Sequence, residues 1–211
     1  MQILAQNPAV SVSYPTPEAA FLGIRQADRH LAVAARALGR DLEKAARACL
    51  ARGPSLILSA GTPDELAREL MPVFPPAQRA VLEDALELAD SYCAATGMEA
   101  VRFRLDRITD DSCCRFHVDH VVLRLLCTYV GPAVQWRMAA EGEVAPVQQV
   151  ATGAVALLKG RCYPGWQPEG AVEHRSPPLS TLPVPTQRLV LTLDAPQACG
   201  MTEGQRRIVR A

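Results

Sequence analysis

The chain has 211 residues, 49% of them hydrophobic, and its 22 Lys and Arg balance its 22 Asp and Glu. That composition excludes wholesale disorder and suits one sizeable domain, or a domain with an appendage. Zero net charge argues against a general nucleic-acid binder, which needs a basic surface to neutralise phosphates.

The opening residues, MQILAQNPAV, lack the basic and long apolar regions of a secretory signal, and no apolar run reaches the span of a bilayer. A cytoplasmic protein with no membrane partner is expected. Pro17-Glu18 opens a short helix over Ala19 to Ile24. The alanine-rich stretch Leu31 to Leu38 is ambiguous. Asp41 is placed to cap a helix that runs to about Leu50 and stops at Gly53-Pro54. SLILS, Ser55 to Ser59, reads as a short extended piece. Thr62-Pro63-Asp64-Glu65 is a strong helix start, with a capping residue, Pro at the first helical position and acids in the first turn. Val81, Leu82, Ala85, Leu86 and Ala89 then follow helical spacing, in a helix over 77–95 that Gly97 ends.

After Gly97 the period changes. Val101, Phe103 and Leu105 alternate with Arg102, Arg104 and Asp106, which is strand periodicity. Phe116 to His120, Val122 to Val130, Val134 to Trp136, Ala154 to Leu158, Ala171 to His174 and Leu189 to Leu193 are further short strands divided by Gly and Pro turns. Many short strands so divided predict a jelly roll. The expectation is an α+β single domain over 1–211. Its helical part, 1–98, packs on a cupin-like double-stranded β-helix, 99–194, and a polar tail with Arg206, Arg207 and Arg210 follows from 195. Seven cysteines, Cys49, Cys93, Cys113, Cys114, Cys127, Cys162 and Cys199, form no CxxC and are expected mostly as small buried apolar residues.

The chemistry concentrates in CCRFHVDH and VEHRSPP. One residue separates His117 from Asp119, so in a strand both side chains leave the same face. His174, far downstream, then completes two imidazoles and a carboxylate, a set that holds three adjacent positions of a metal and leaves others open for small molecules. Such ligands suit Fe(II), Mn or Zn. H-x-D alone also occurs by chance, with each histidine an ordinary polar group. Arg188 opens the strand RLVLTLD, and alternation puts it on one face with Val190 and Thr192, where its fork can grip a carboxylate. A surface arginine at a sheet edge is the plain alternative. Cys114, three before His117, makes a C-x-x-H pair able to serve zinc with His117, Asp119 and His174, although in a strand it leaves the opposite face. Tyr129 either donates its hydroxyl to a co-substrate carboxylate or anchors packing. Lys159 either faces a cavity or ends its strand at solvent. Trp136 and Trp166 are pocket walls or core, and His120 is structural.

The order H-x-D, distal His, then Arg on the next strand resembles the Fe(II)/2-oxoglutarate-dependent oxygenases, whose fold is the double-stranded β-helix. The resemblance implies that His117, Asp119 and His174 are iron ligands and catalytic, with Arg188 on the far carboxylate of the co-substrate 2-oxoglutarate; Tyr129 and Thr192 are the hydroxyls placed to add hydrogen bonds to it. A closer similarity is carried by FRLDRITDDSCCRFHVDHVVLRLLCTYVGP, GAVALLKG, HRSPP and RLVLTLD. On these the chain is identified as a member of the domain-of-unknown-function 1826 family of bacteria. That resemblance implies a cytosolic protein, with some members encoded near zinc-homeostasis genes. The family's TYxGPGTEW reads TYVGPAVQW here, so Ala133-Val134-Gln135 replaces Gly-Thr-Glu and a charge is lost. The leading expectation is a mononuclear non-haem iron oxygenase acting on an unidentified small-molecule or protein substrate. The alternative is a non-catalytic zinc-binding protein of metal homeostasis.

Overall fold

The computed structural model describes residues 11–198 and 207–210. The expectations for the opening segment, Cys199 and Arg206 lie outside the described residues. Among the described residues, the first half forms four α-helices, α1 (Pro17–Gly23), α2 (Arg40–Arg52), α3 (Pro63–Leu70) and α4 (Arg79–Thr96). The start of α3 forms as its sequence dictates: the Thr62 hydroxyl accepts from the Glu65 amide at 3.2 Å, and the Glu65 carboxylate accepts from the Thr62 amide at 2.9 Å. Asp41 lies in the first turn of α2 rather than at its cap, which is Gly39. Among the described residues, no helix is long and apolar enough to cross a membrane.

The strands are β1 (Ser11–Tyr14), β2 (Leu31–Ala34), β3 (Leu56–Gly61), β4 (Val101–Ile108), β5 (Leu123–Val130), β6 (Gln135–Met138), β7 (Gln148–Gln149), β8 (Val155–Lys159), β9 (Val172–Arg175), β10 (Arg188–Asp194) and β11 (Arg207–Arg210). Eight form one sheet in the order β1-β2-β8-β5-β10-β4-β3-β11, and three form a second in the order β7-β6-β9. The first half is therefore not purely helical. β2 pairs with β8, and β3 pairs with β4, so both halves share one sheet. The expected tail also contributes: β11 pairs antiparallel with β3.

Strand alternation gives the large sheet two different faces. Leu123, Leu125 and Cys127 of β5 and Leu189, Leu191 and Leu193 of β10 join one core cluster with helical residues such as Phe21, Leu66, Leu82 and Ala85. On the other face Ala156 and Leu158 of β8 join Val134, Trp136 of β6 and Val172 of β9, so the small sheet covers that side. The same face of β5 and β10 carries Arg124, Leu126, Thr128, Arg188, Val190 and Thr192, which line an open cavity.

The cysteines are less buried than expected. All six described are free; Cys49 and Cys127 are buried, Cys93 and Cys114 are partly covered, and Cys113 and Cys162 are exposed. The exposed pair lies in turns, where a small side chain has no core to enter.

Candidate metal centre

His117 and His174 meet through their backbones. They form an isolated antiparallel bridge, His117 N–H donating to His174 O at 3.1 Å and His174 N–H to His117 O at 2.9 Å. Their rings lie 4.6 Å apart between centroids. His174 belongs to β9, opposite Trp136 of β6, and is 5% exposed. The expected strand Phe116 to His120 does not form. His117 is the one residue of it that bridges, and the chain then leaves the small sheet towards the large one. Asp119 is held by the next contact: the Arg161 amide donates to Asp119 O at 2.9 Å, and the Gly160 amide to Val122 O at 3.1 Å. Gly160 is required there, since a Cβ would stand 2.1 Å from Val121 O and 2.8 Å from Asp119 O.

One ligand atom from each of His117, Asp119 and His174 lies within 4.8 Å of the other two. His117 Nε2 is 3.4 Å from Asp119 Oδ1, and His174 Nε2 is 3.0 Å from Asp119 Oδ2. His117 Nδ1 lies 2.8 Å from Arg115 O, so it donates there and leaves the Nε2 lone pair to the site. Asp119 Oδ2 is buried and makes no well-formed hydrogen bond, its close polar neighbour being His174 Nε2 at 3.0 Å. A buried carboxylate oxygen seldom lacks a well-formed bond, and a cation between it and two imidazoles would satisfy its lone pairs. The donor set thus fits a divalent metal.

Arg124 sets the charge of Asp119. Its Nη1 lies 2.5 Å from Asp119 Oδ1, while its Nε and Nη2 donate to Asp194 at 2.7 and 2.9 Å. Arg102 donates to the same Asp194, which is fully buried, at 3.1 Å. Burial opposes ionisation of Asp119, but His117, His174 and Arg124 outweigh it and hold the carboxyl far below its usual range. The bond to Asp119, against the opposing effect of burial, raises the affinity of His117 for a proton. The Arg102–Asp194–Arg124 network escaped the sequence reading. Its signal was there, because Asp194 continues the alternation of Arg188, Val190 and Thr192.

The cavity beside these residues measures about 540 Å³ and is lined by His117, Asp119, His174, Arg188 and Thr192, among others. Arg188 is 2% exposed; its Nε donates to Pro132 O at 2.6 Å and its Nη1 to Ser176 Oγ at 2.8 Å. No carboxylate stands within ion-pair distance of it among the described residues. Burial pushes its pKa down to about 10, with Asp106 opposing, so it stays charged at neutral pH. It is not an edge arginine, since β10 lies between β5 and β4. Gly131 makes room for it: a Cβ there would stand 2.4 Å from Gln187 O and 3.0 Å from Arg188 Cγ.

Tyr129 is a correction. It does not line this cavity. Its position has the opposite parity to Thr128, so it points to the helices, where its hydroxyl donates to Asp84 Oδ2 at 2.6 Å. Asp84 also pairs with Arg36 at 2.5 Å. Tyr129→Phe is therefore expected to lower stability by about 2 kcal/mol in a denaturant titration, with 2-oxoglutarate affinity unchanged. Cys114 also stays out of the ligand group, which holds only His117, Asp119 and His174 among the described residues. Cys114→Ser should leave metal affinity unchanged. A loss of roughly tenfold, about 1.4 kcal/mol, would restore the four-ligand zinc set. Gln135, at the position where the resembled pattern has an acid, accepts from Arg175 Nε at 2.9 Å and does not line the cavity. His120 is exposed.

Comparison with solved structures returns proteins of similar fold. The chain is similar to dioxygenase for auxin oxidation 1 from Arabidopsis thaliana, solved as its 2-oxoglutarate complex, with TM-score 0.53 and 12% identity over 87% of this chain and 91% of that one. It is similar to the rice dioxygenase for auxin oxidation, with TM-score 0.52 and 14% identity over 78% and 72% of the two chains. JOX2, solved in complex with 2OG, Fe and JA, gives TM-score 0.51 and 13% identity over 95% and 77%. At such identities the likeness is one of fold. In sequence, residues 17–194 match the family described as "Protein of unknown function (DUF1826)", and the chain belongs to that family. None of the curated proteins matches it.

Proposed function

We propose that this protein is an oxygenase that uses Fe(II) and 2-oxoglutarate on a double-stranded β-helix. The observation that carries the reading is the pairing, in one cavity, of a three-ligand metal cluster with a buried arginine that has no anionic partner among the described residues. The fold shared with two plant dioxygenases for auxin oxidation supports it.

His117, Asp119 and His174 would hold the metal. Bound Fe(II) supplies the activation of oxygen, coupled to oxidation of the co-substrate and then of the substrate. The chain's own residues do the rest. Arg124 keeps Asp119 ionised without burying it as a lone charge. The Arg115 carbonyl fixes the tautomer of His117. Arg188 neutralises and orients the far carboxylate of 2-oxoglutarate, with Ser176 holding the guanidinium in place and Thr192 on the same face. Leu126, Val134 and Val190 add apolar wall to the cavity.

The test is turnover. With Fe(II) and oxygen, the wild-type protein should convert 2-oxoglutarate to succinate and carbon dioxide, even slowly and without substrate. Asp119→Ala should not. Equal succinate from both would overturn the reading.

A further inference from the structure

We propose that the helix side of the large sheet carries a second ligand site, which takes a small carboxylate with an apolar body. A cavity of about 440 Å³ lies there, between the end of α1, the end of α4, the end of β8 and the loop Tyr163 to Trp166. That volume suits a small molecule. Phe21, Ile24, Met98 and Leu123 form apolar walls, and no Asp or Glu lines it.

Three polar residues, Lys159, His30 and Trp166, line the space. Lys159 is 4% exposed, and no carboxylate stands within ion-pair distance of it among the described residues. Its Nζ donates to Gln26 O at 2.7 Å and stands 4.3 Å from the Tyr163 ring centre. An ammonium has further donors to give. His30 is 6% exposed, and its Nδ1 is buried without a hydrogen-bond partner. The other ring nitrogen, Nε2, packs against Gly170, where a Cβ would stand 2.7 Å from it. The indole Nε1 of Trp166 is likewise buried and unpartnered. The acid nearest in influence, Asp28, has a side chain 57% exposed and lies 3.5 Å from Arg29. Burial, then Lys159, lowers the proton affinity of His30, so its ring is neutral beside the ammonium.

Buried polar groups are nearly always partnered, and buried charges are paired. Here two unpartnered nitrogens and an ammonium without a carboxylate belong to residues that line one largely apolar cavity. An occupant with a carboxylate supplies the acceptors for Lys159 and Trp166, and an apolar body fills the rest. The site is separate from the metal centre. Leu123 faces it, while the next residue of β5, Arg124, faces Asp119 across the sheet. The inference needs no metal.

The chain has two tryptophans, so a nitrogen–proton correlation spectrum of the full protein carries two indole signals, with Trp136 as internal control. Phenylpropionate should move the Trp166 signal saturably and leave Trp136 in place, with or without metal. Its neutral amide, phenylpropionamide, should bind roughly tenfold more weakly or worse. Lys159→Met should lose a similar factor. If that variant does not fold, the comparison of acid and amide on the wild-type protein decides alone. No saturable movement up to about 10 mM phenylpropionate, or equal affinity for the amide, overturns the site.

Discussion

Replacing Arg188 by leucine is expected to abolish 2-oxoglutarate binding and to leave the metal in place. The guanidinium sits in the cavity at 2% exposure, hydrogen-bonded to Pro132 O and Ser176 Oγ and with no carboxylate in ion-pair range among the described residues. A dicarboxylate that engages the metal with one end must bury the other, and a buried carboxylate without a cation is expensive. Removing one partner of such a pair costs about 2–5 kcal/mol of binding, or roughly thirtyfold to several thousandfold. The folded protein bears a smaller loss, because leucine leaves two acceptors unpaired at about 1–3 kcal/mol each and relieves a lone buried charge. Equilibrium dialysis of labelled 2-oxoglutarate against the anaerobic Fe(II) protein measures the first effect, and elemental analysis measures the metal. Retained binding in the variant would return Arg188 to a structural role.

His174→Ala and His117→Ala should each empty the metal site while the fold survives. Loss of groups that merely support a ligand costs 10–100-fold in metal affinity, so loss of a ligand should cost roughly 100-fold or more. The fold should persist, because the two histidines are joined through backbone hydrogen bonds that alanine keeps. Each variant also relieves Asp119 of a neighbour, but Arg124 remains at 2.5 Å to compensate its charge. Full metal occupancy in both variants, with unchanged circular dichroism, would eliminate the site.

Much of the architecture was legible because it is written in local chemistry. The capping box at Thr62 and Glu65 starts α3, and Gly97, with φ of 71°, ends α4. The alternation in RLVLTLD placed Arg188, Val190 and Thr192 together on the cavity face. His117, Asp119 and His174 do come together, but not in the way a shared strand would bring them. The H-x-D spacing reads as one strand under His117 and Asp119, whereas a single bridge to His174 and a loop pinned by Gly160 and Arg161 bring them together. Tyr129 was misplaced because a terminal hydroxyl reads the same on either face, and its real partner, Asp84, lies on α4, far away in sequence. β11 was missed because strand pairing at a sheet edge depends on a distant partner, β3, which no local pattern in a polar segment reveals. The second cavity needed three elements brought together before Lys159, His30 and Trp166 acquired a common meaning.

The central claim, that this cavity binds Fe(II) and 2-oxoglutarate together, is tested most directly by anaerobic absorption spectroscopy. Adding 2-oxoglutarate to the Fe(II) protein should raise a visible charge-transfer band that saturates at one equivalent of co-substrate per bound metal. The band should be absent from His174→Ala. A wild-type protein that holds Fe(II) at the His117, Asp119 and His174 site yet shows no band at millimolar 2-oxoglutarate would contradict the account.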